Sequence, residues 1–139
     1  MPENAGFITK ARDFVDANYV ATRQQFQGII YEDVNTGSPN ENLLVYPRNF
    51  TLQAISVQNN RVGSSGSGVI SILFGSGASF VAVPGLSSRS VTTTNTVYNV
   101  TGSGQLVTTP QQLQVQFVSV TSGPINVAIY FYFSEQFVL

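Results

Sequence analysis

The chain has 139 residues, lacks both cysteine and histidine, and is only 9% charged, with a net charge of −1. That length fits one domain with its own core. The missing residue types remove disulfides, cysteine or histidine zinc sites, and every serine–histidine or cysteine–histidine nucleophile. The balanced charge gives no footprint for nucleic acid, and no apolar run approaches the roughly 20 residues of a membrane helix.

The charge is unevenly placed. Eight of the thirteen charged residues lie within the first 33 positions, and from Val62 to Ser134 the only one is Arg89. This contrast divides the chain into an N-terminal arm, 1–24, and a nearly neutral body, 25–139. The opening MPENAGFITKARDF lacks the apolar core of a secretory signal, so the sequons at Asn49 and Asn99 carry little weight.

In the arm, Ile8, Ala11, Val15, Tyr19, Thr22 and Phe26 recur at spacings of three and four, the stripe of an amphipathic helix. Lys10, Arg12, Asp13, Asp16 and Arg23 lie off that stripe, Asn4 is a candidate N-cap, and Gly28 would end the run. Asn18, Tyr19 and Val20 are mediocre helix formers, which leaves an extended second half open. Such an arm either folds back on its own domain or packs on a neighbouring subunit.

From Gln25 onward the pattern is that of strands and turns. QFQGIIYEDV (25–34) reads as a first strand, followed by the turn signal NTGSPNEN. A short strand over 42–47 is limited by Pro47. FTLQAISVQN (50–59) begins with alternation that puts Phe50, Leu52 and Ala54 on one side. VISILF (69–74) is apolar apart from Ser71 and reads as buried, and SFVAV (79–83) follows a GSGAS turn. A threonine-rich section follows. QQLQVQFVSV (111–120) then alternates, with Leu113, Val115 and Phe117 inward. In the last strand Ile125, Val127, Ile129, Phe131 and Phe133 form one face, and Ala128, Tyr130 and Tyr132 a second face that is also largely apolar. About seven to nine antiparallel strands with connections of mixed length predict an all-β fold, a jelly-roll or Greek-key β-sandwich.

Catalytic arrangements are weak. The serines of SSGSG and GSGAS are not in a G-x-S-x-G elbow, and no glycine run matches a phosphate-binding loop. Among carboxylates, Asp13 and Asp16 sit three apart on a helical face, and Glu32 and Asp33 are adjacent in a strand, where their side chains diverge. The loop from Glu32 to Asn42 is dense in oxygen ligands but lacks the calcium-loop register, and such clusters usually make turns. No catalysis, metal or cofactor is expected. Tyr31, Tyr46 and Tyr98 are the candidates for a sugar platform, although strand tyrosines more often pack in a core or rim.

A body with so little charge stays soluble either through an uncharged polar surface or by burying much of that surface in an assembly. The two-faced final strand favours the second. Burying Tyr130, Tyr132, Phe137, Val138 and Leu139 on a neighbour would contribute on the order of 10 kcal/mol per subunit before entropic losses. Ile8, Val15, Tyr19, Tyr130, Tyr132, Phe137 and Leu139 are therefore the candidate subunit interface.

An arm followed by a Ser-, Thr-, Gln- and Gly-rich body of many strands, free of Cys and His and ending in a hydrophobic strand, resembles the small jelly-roll virion structural proteins of bacteriophages. These include capsid decoration (cement) proteins and fibre-head domains. The resemblance is one of architecture and implies a location in the virion. It also implies a homo-oligomer, often a trimer, docked on a partner such as the major capsid protein. A lectin-like receptor-binding or carbohydrate-binding domain of a phage tail or fibre is the alternative.

Overall fold

The computed structural model describes residues 20–43 and 47–138. Ten strands appear in chain order: β1 (Val20–Val34), β2 (Glu41–Leu43), β3 (Phe50–Asn59), β4 (Ser67–Ser76), β5 (Ser79–Ala82), β6 (Arg89–Val91), β7 (Thr96–Asn99), β8 (Gln105–Val107), β9 (Gln112–Thr121) and β10 (Ile125–Val138). The count exceeds the expected seven to nine because the threonine-rich section breaks into three short strands, β6 to β8.

All pairings are antiparallel. β1 lies against β10, β2 against β9, β3 against β8 and β4 against β5. The chain is thus one long hairpin, rolled so that successive rungs fall in opposite sheets. One sheet runs β1-β10-β3-β7, with β8 also on β3; the other runs β2-β9-β4-β5, with β6 also on β4. These strand orders are those of a jelly roll, the expected fold class.

The core forms between the sheets from alternate residues. Ile125, Val127, Ile129, Phe131 and Phe133 of β10 are all buried, facing a layer that includes Ile70 and Ile72 of β4 and Leu113, Val115 and Phe117 of β9. Phe50 and Phe133 meet edge-on at 5.2 Å between ring centroids. The NTGSPNEN segment makes the predicted turn, closed by Ser38 N donating to the Asn35 carbonyl at 3.0 Å.

Two expectations change. Ala54 does not share a face with Phe50 and Leu52. Tyr132 pairs with Ala54 while Phe133 pairs with Leu52, so Gln53 is an extra residue in β3 and reverses the side-chain alternation. Beyond this bulge Ile55 and Val57 point inward, and Ala54, Ser56 and Gln58 point outward.

The second change concerns the arm. β1 begins at Val20, so residues 20–24 belong to the sheet and Phe26 to a strand rather than to a helical stripe. The extended alternative holds for this stretch because β10 supplies a ladder that runs unbroken from Val20↔Val138 to Tyr31↔Val127. Paired backbone and packed side chains outweigh the local helical pattern.

Candidate assembly surface

The side chains of β10 that leave the core are Ala128, Tyr130 and Tyr132. Cross-strand register extends them into two rows over four strands: Gly28–Tyr130–Ser56–Val97 and Phe26–Tyr132–Ala54–Asn99. A third row joins Ile30, Ala128 and Gln58. Small residues form the floor and large apolar ones stand on it. Phe26 is 69% exposed, Ile30 53%, Tyr130 47% and Tyr132 40%.

Glycine at position 28 has a specific use. A Cβ there would lie 2.6 Å from Cε1 of Tyr130, so the ring lies directly over the bare backbone. Phe26 leans on the same ring at 6.4 Å and 48°. Two troughs flank Tyr130. One, of about 340 Å³, is lined by Phe26, Ser56, Asn95, Tyr130 and Tyr132. The other, of about 620 Å³, is lined by Gly28, Ile29, Ile30, Gln58, Asn60, Ala128 and Tyr130. No lining residue of either is charged.

The three rings alone leave on the order of 300 Å² of aromatic surface in water, taking about 200 Å² per side chain. Ile30 and the outward Val97 enlarge this apolar area. The largest patch on an ordinary monomer covers about 300–600 Å² and is often functional.

Tyr130 and Tyr132, predicted from the sequence, are therefore together on one exposed face. Ile8, Val15, Tyr19 and Leu139 lie outside the described residues, and Phe137 is described only as the β10 backbone position opposite Ala21. Sequence reasoning missed Phe26, Gly28, Ile30 and Val97 as members of the surface. The alternation of Phe26, Gly28 and Ile30 against Gln27, Ile29 and Tyr31 was the available signal. Recognising the surface also required knowing that β1 pairs with β10.

A second feature lies at the open side of the sandwich between β1 and β2. Ile30, Tyr31, Glu32, Val34, Ser38, Pro39, Glu41 and Phe117 line a cleft of about 480 Å³. Tyr31 packs edge-on against Phe117 at 5.4 Å, and its buried hydroxyl has no hydrogen-bond partner. Burial, and secondarily the negative charge of Glu41, push its phenol up from 10.0 to about 12.

Of the other sugar candidates, Tyr46 is outside the described residues. Tyr98 is committed structurally: its hydroxyl donates to the Ser90 carbonyl at 2.8 Å, and Arg89 sits 5.3 Å from its ring centroid. Among the carboxylates, Asp13 and Asp16 lie outside the described residues, Glu32 lines the cleft, and Asp33 accepts from Arg61. Among the described residues no group of three or more acidic side chains converges as a metal site would require. Among the described residues Glu135 is the one charged side chain that is buried. It is 1% exposed at the inward position after Phe133, and its Oε1 accepts from Arg48 Nη1 at 3.1 Å while Oε2 has no partner.

The fold and this surface define the class: a jelly-roll β-sandwich with one exposed, uncharged aromatic sheet face. No family model matches the sequence, and no curated protein does. Among solved structures, a chain in the acidic stable capsid structure of Helicobacter pylori bacteriophage KHP30 is similar in shape, with a TM-score of 0.49 and 9% identity. The match covers 85% of this chain and 98% of that one.

Proposed function

We propose that this chain is a non-enzymatic virion structural protein. It assembles as a homo-oligomer on a capsid or tail lattice, in the manner of a decoration or cement protein. Its partners are copies of itself and a lattice protein such as the major capsid protein. The observation that carries this reading is the uncharged aromatic face of β1 and β10, exposed on a body whose only charge from Val62 to Ser134 is Arg89. Charge-poor, aromatic-rich surface is the composition of an interface core rather than of a free surface. The jelly roll agrees by analogy only, since the fold serves both capsid and lectin domains. Light scattering at micromolar concentration tests the reading. It predicts an oligomer, and a monomer for both the full chain and a chain lacking residues 1–19 would overturn it.

A second reading, a lectin-like receptor- or carbohydrate-binding domain, is favoured by the cleft at Tyr31, where an unsatisfied hydroxyl, two carboxylates and the Phe117 ring converge. A glycan array without hits, together with no saturable adsorption to host cells, would exclude it.

A further inference from the structure

Sheet edges expose unpaired backbone groups, and proteins guard them with short strands, charges, prolines or bulges. The peripheral strands β2, β5, β6, β7 and β8 follow this rule, each being three or four residues long. β1 does not. It has fifteen residues, stands at the end of its sheet, and has no strand paired to its other side among the described residues. Its middle, QQFQGIIY (24–31), contains no charge and no proline. β2, the short edge strand of the other sheet, leaves the inward residues Gln25, Gln27 and Ile29 half-exposed.

The same stretch is self-complementary. If two β1 strands run antiparallel about a two-fold axis beside Gly28, Phe26 of each copy faces Ile30 of the other, and Gln27 faces Ile29. An aromatic–aliphatic cross-strand pair is a favourable one. The glycine on the axis allows close approach, and Tyr130 of each copy lies over it. Moving the register by two residues places either Phe26 or Ile30 opposite glycine and loses both apolar pairs.

We propose that β1 pairs with β1 of a second copy in this register, joining the two β1-β10-β3-β7 sheets into one continuous sheet. The proposal rests on the homo-oligomer reading and names its contact. The pairing satisfies the open backbone edge of β1 and brings Phe26 and Ile30 of the two copies together, while Tyr130 and Tyr132 on β10 stay on the outer face, so that the outer faces of both copies become one aromatic surface. The pairing is two-fold, so it specifies a dimer or an assembly of dimers rather than the trimer implied by the family resemblance.

The absence of native cysteine makes the test direct. Phe26→Cys chains are mixed with Ile30→Cys chains and oxidised. Opposed residues in an antiparallel pair have Cα atoms about 4.5–5.5 Å apart, within disulfide reach. The mixture is expected to give a disulfide-linked dimer, while either variant alone gives at least tenfold less. In parallel, Ile30→Lys is expected to reduce the solution mass at least by half, towards the 15.0 kDa of one chain. Circular dichroism checks its fold, and if Ile30→Lys unfolds, the cross-link alone decides. A wild-type monomer overturns both this proposal and the assembly reading. A wild-type oligomer that does not cross-link and survives Ile30→Lys overturns the β1 pairing alone. So does one that is lost only on deleting residues 1–19, which would assign the edge to the N-terminal segment.

Discussion

Tyr31→Phe is expected to stabilise the protein. The hydroxyl is buried without a partner, and an unsatisfied buried polar group costs about 1–3 kcal/mol. The ring's edge-on contact with Phe117 survives the change. Because the side chain as a whole is only half-buried, the lower end applies, a gain of about 1 kcal/mol at pH 7. With urea slopes of about 1–3 kcal/mol per M, the unfolding midpoint should rise by about 0.5 M. The pH dependence follows from the phenol being raised from 10.0 to about 12 in the fold. Below pH 10 both folded and unfolded states keep the proton. Between pH 10 and 12 the unfolded state releases it first, so the parent protein loses stability as pH rises. Full burial would give about 2.7 kcal/mol for two pH units, and solvent screening reduces this to about 1–2 kcal/mol. The gap between variant and parent should therefore widen across that window. Urea unfolding followed by far-ultraviolet circular dichroism at pH 7 and from pH 9 to 12 measures both effects. A variant no more stable than the parent at pH 7, or a gap that stays constant to pH 12, would refute the reasoning.

The Arg48–Glu135 and Arg61–Asp33 ion pairs should respond very differently to loss of arginine. Arg48→Ala strands the buried Glu135 carboxylate; a buried pair broken on one side costs about 3–5 kcal/mol, reduced to about 2 because Arg48 is itself 66% exposed. Adding Glu135→Gln should recover most of that loss. Arg61→Ala, at the exposed Asp33 pair, should cost less than about 1 kcal/mol, and thermal melts of the three variants make the comparison. Gly75→Ala should destabilise the β4–β5 hairpin by about 2–3 kcal/mol, because its Cβ would lie 1.9 Å from the Ser79 carbonyl oxygen. Phe131→Ala removes a fully buried ring and should cost about 3–5 kcal/mol in denaturant unfolding, without altering the outer face.

The strands that alternate cleanly were legible before any coordinates. The alternation puts the starts of β9 and β10 within a residue or two of where they lie and marks the inward faces of both. The two-sided apolar character of β10 also reported a real property, the exposed tyrosine face. β3 was harder, because its apolar residues occupy both faces. A single bulged residue, Gln53, decides which of Leu52, Ala54 and Ile55 turn inward, and the choice depends on pairing with a strand almost eighty residues away. β1 was harder still. Its start carries a helical spacing, and what overrules that spacing is the long ladder to β10, which no local window contains. For the same reason Tyr130 and Tyr132 were identified while their neighbours Phe26 and Ile30 were not.

The position of β10 sets the order in which the molecule can be built. It lies between β1 and β3, which do not pair with each other, and it follows both in the chain. Until it arrives, β1 has no hydrogen-bonded neighbour among the described strands. During synthesis β1 must wait for a partner more than ninety residues downstream, so folding is non-local and slow for a chain of this size. The rows that bring Phe26 beside Tyr132 and lay Tyr130 over Gly28 also come into existence only at that last step. A truncated or stalled chain therefore cannot display the finished surface, and in the proposed assembly recognition between molecules would double as a check that each one has finished folding.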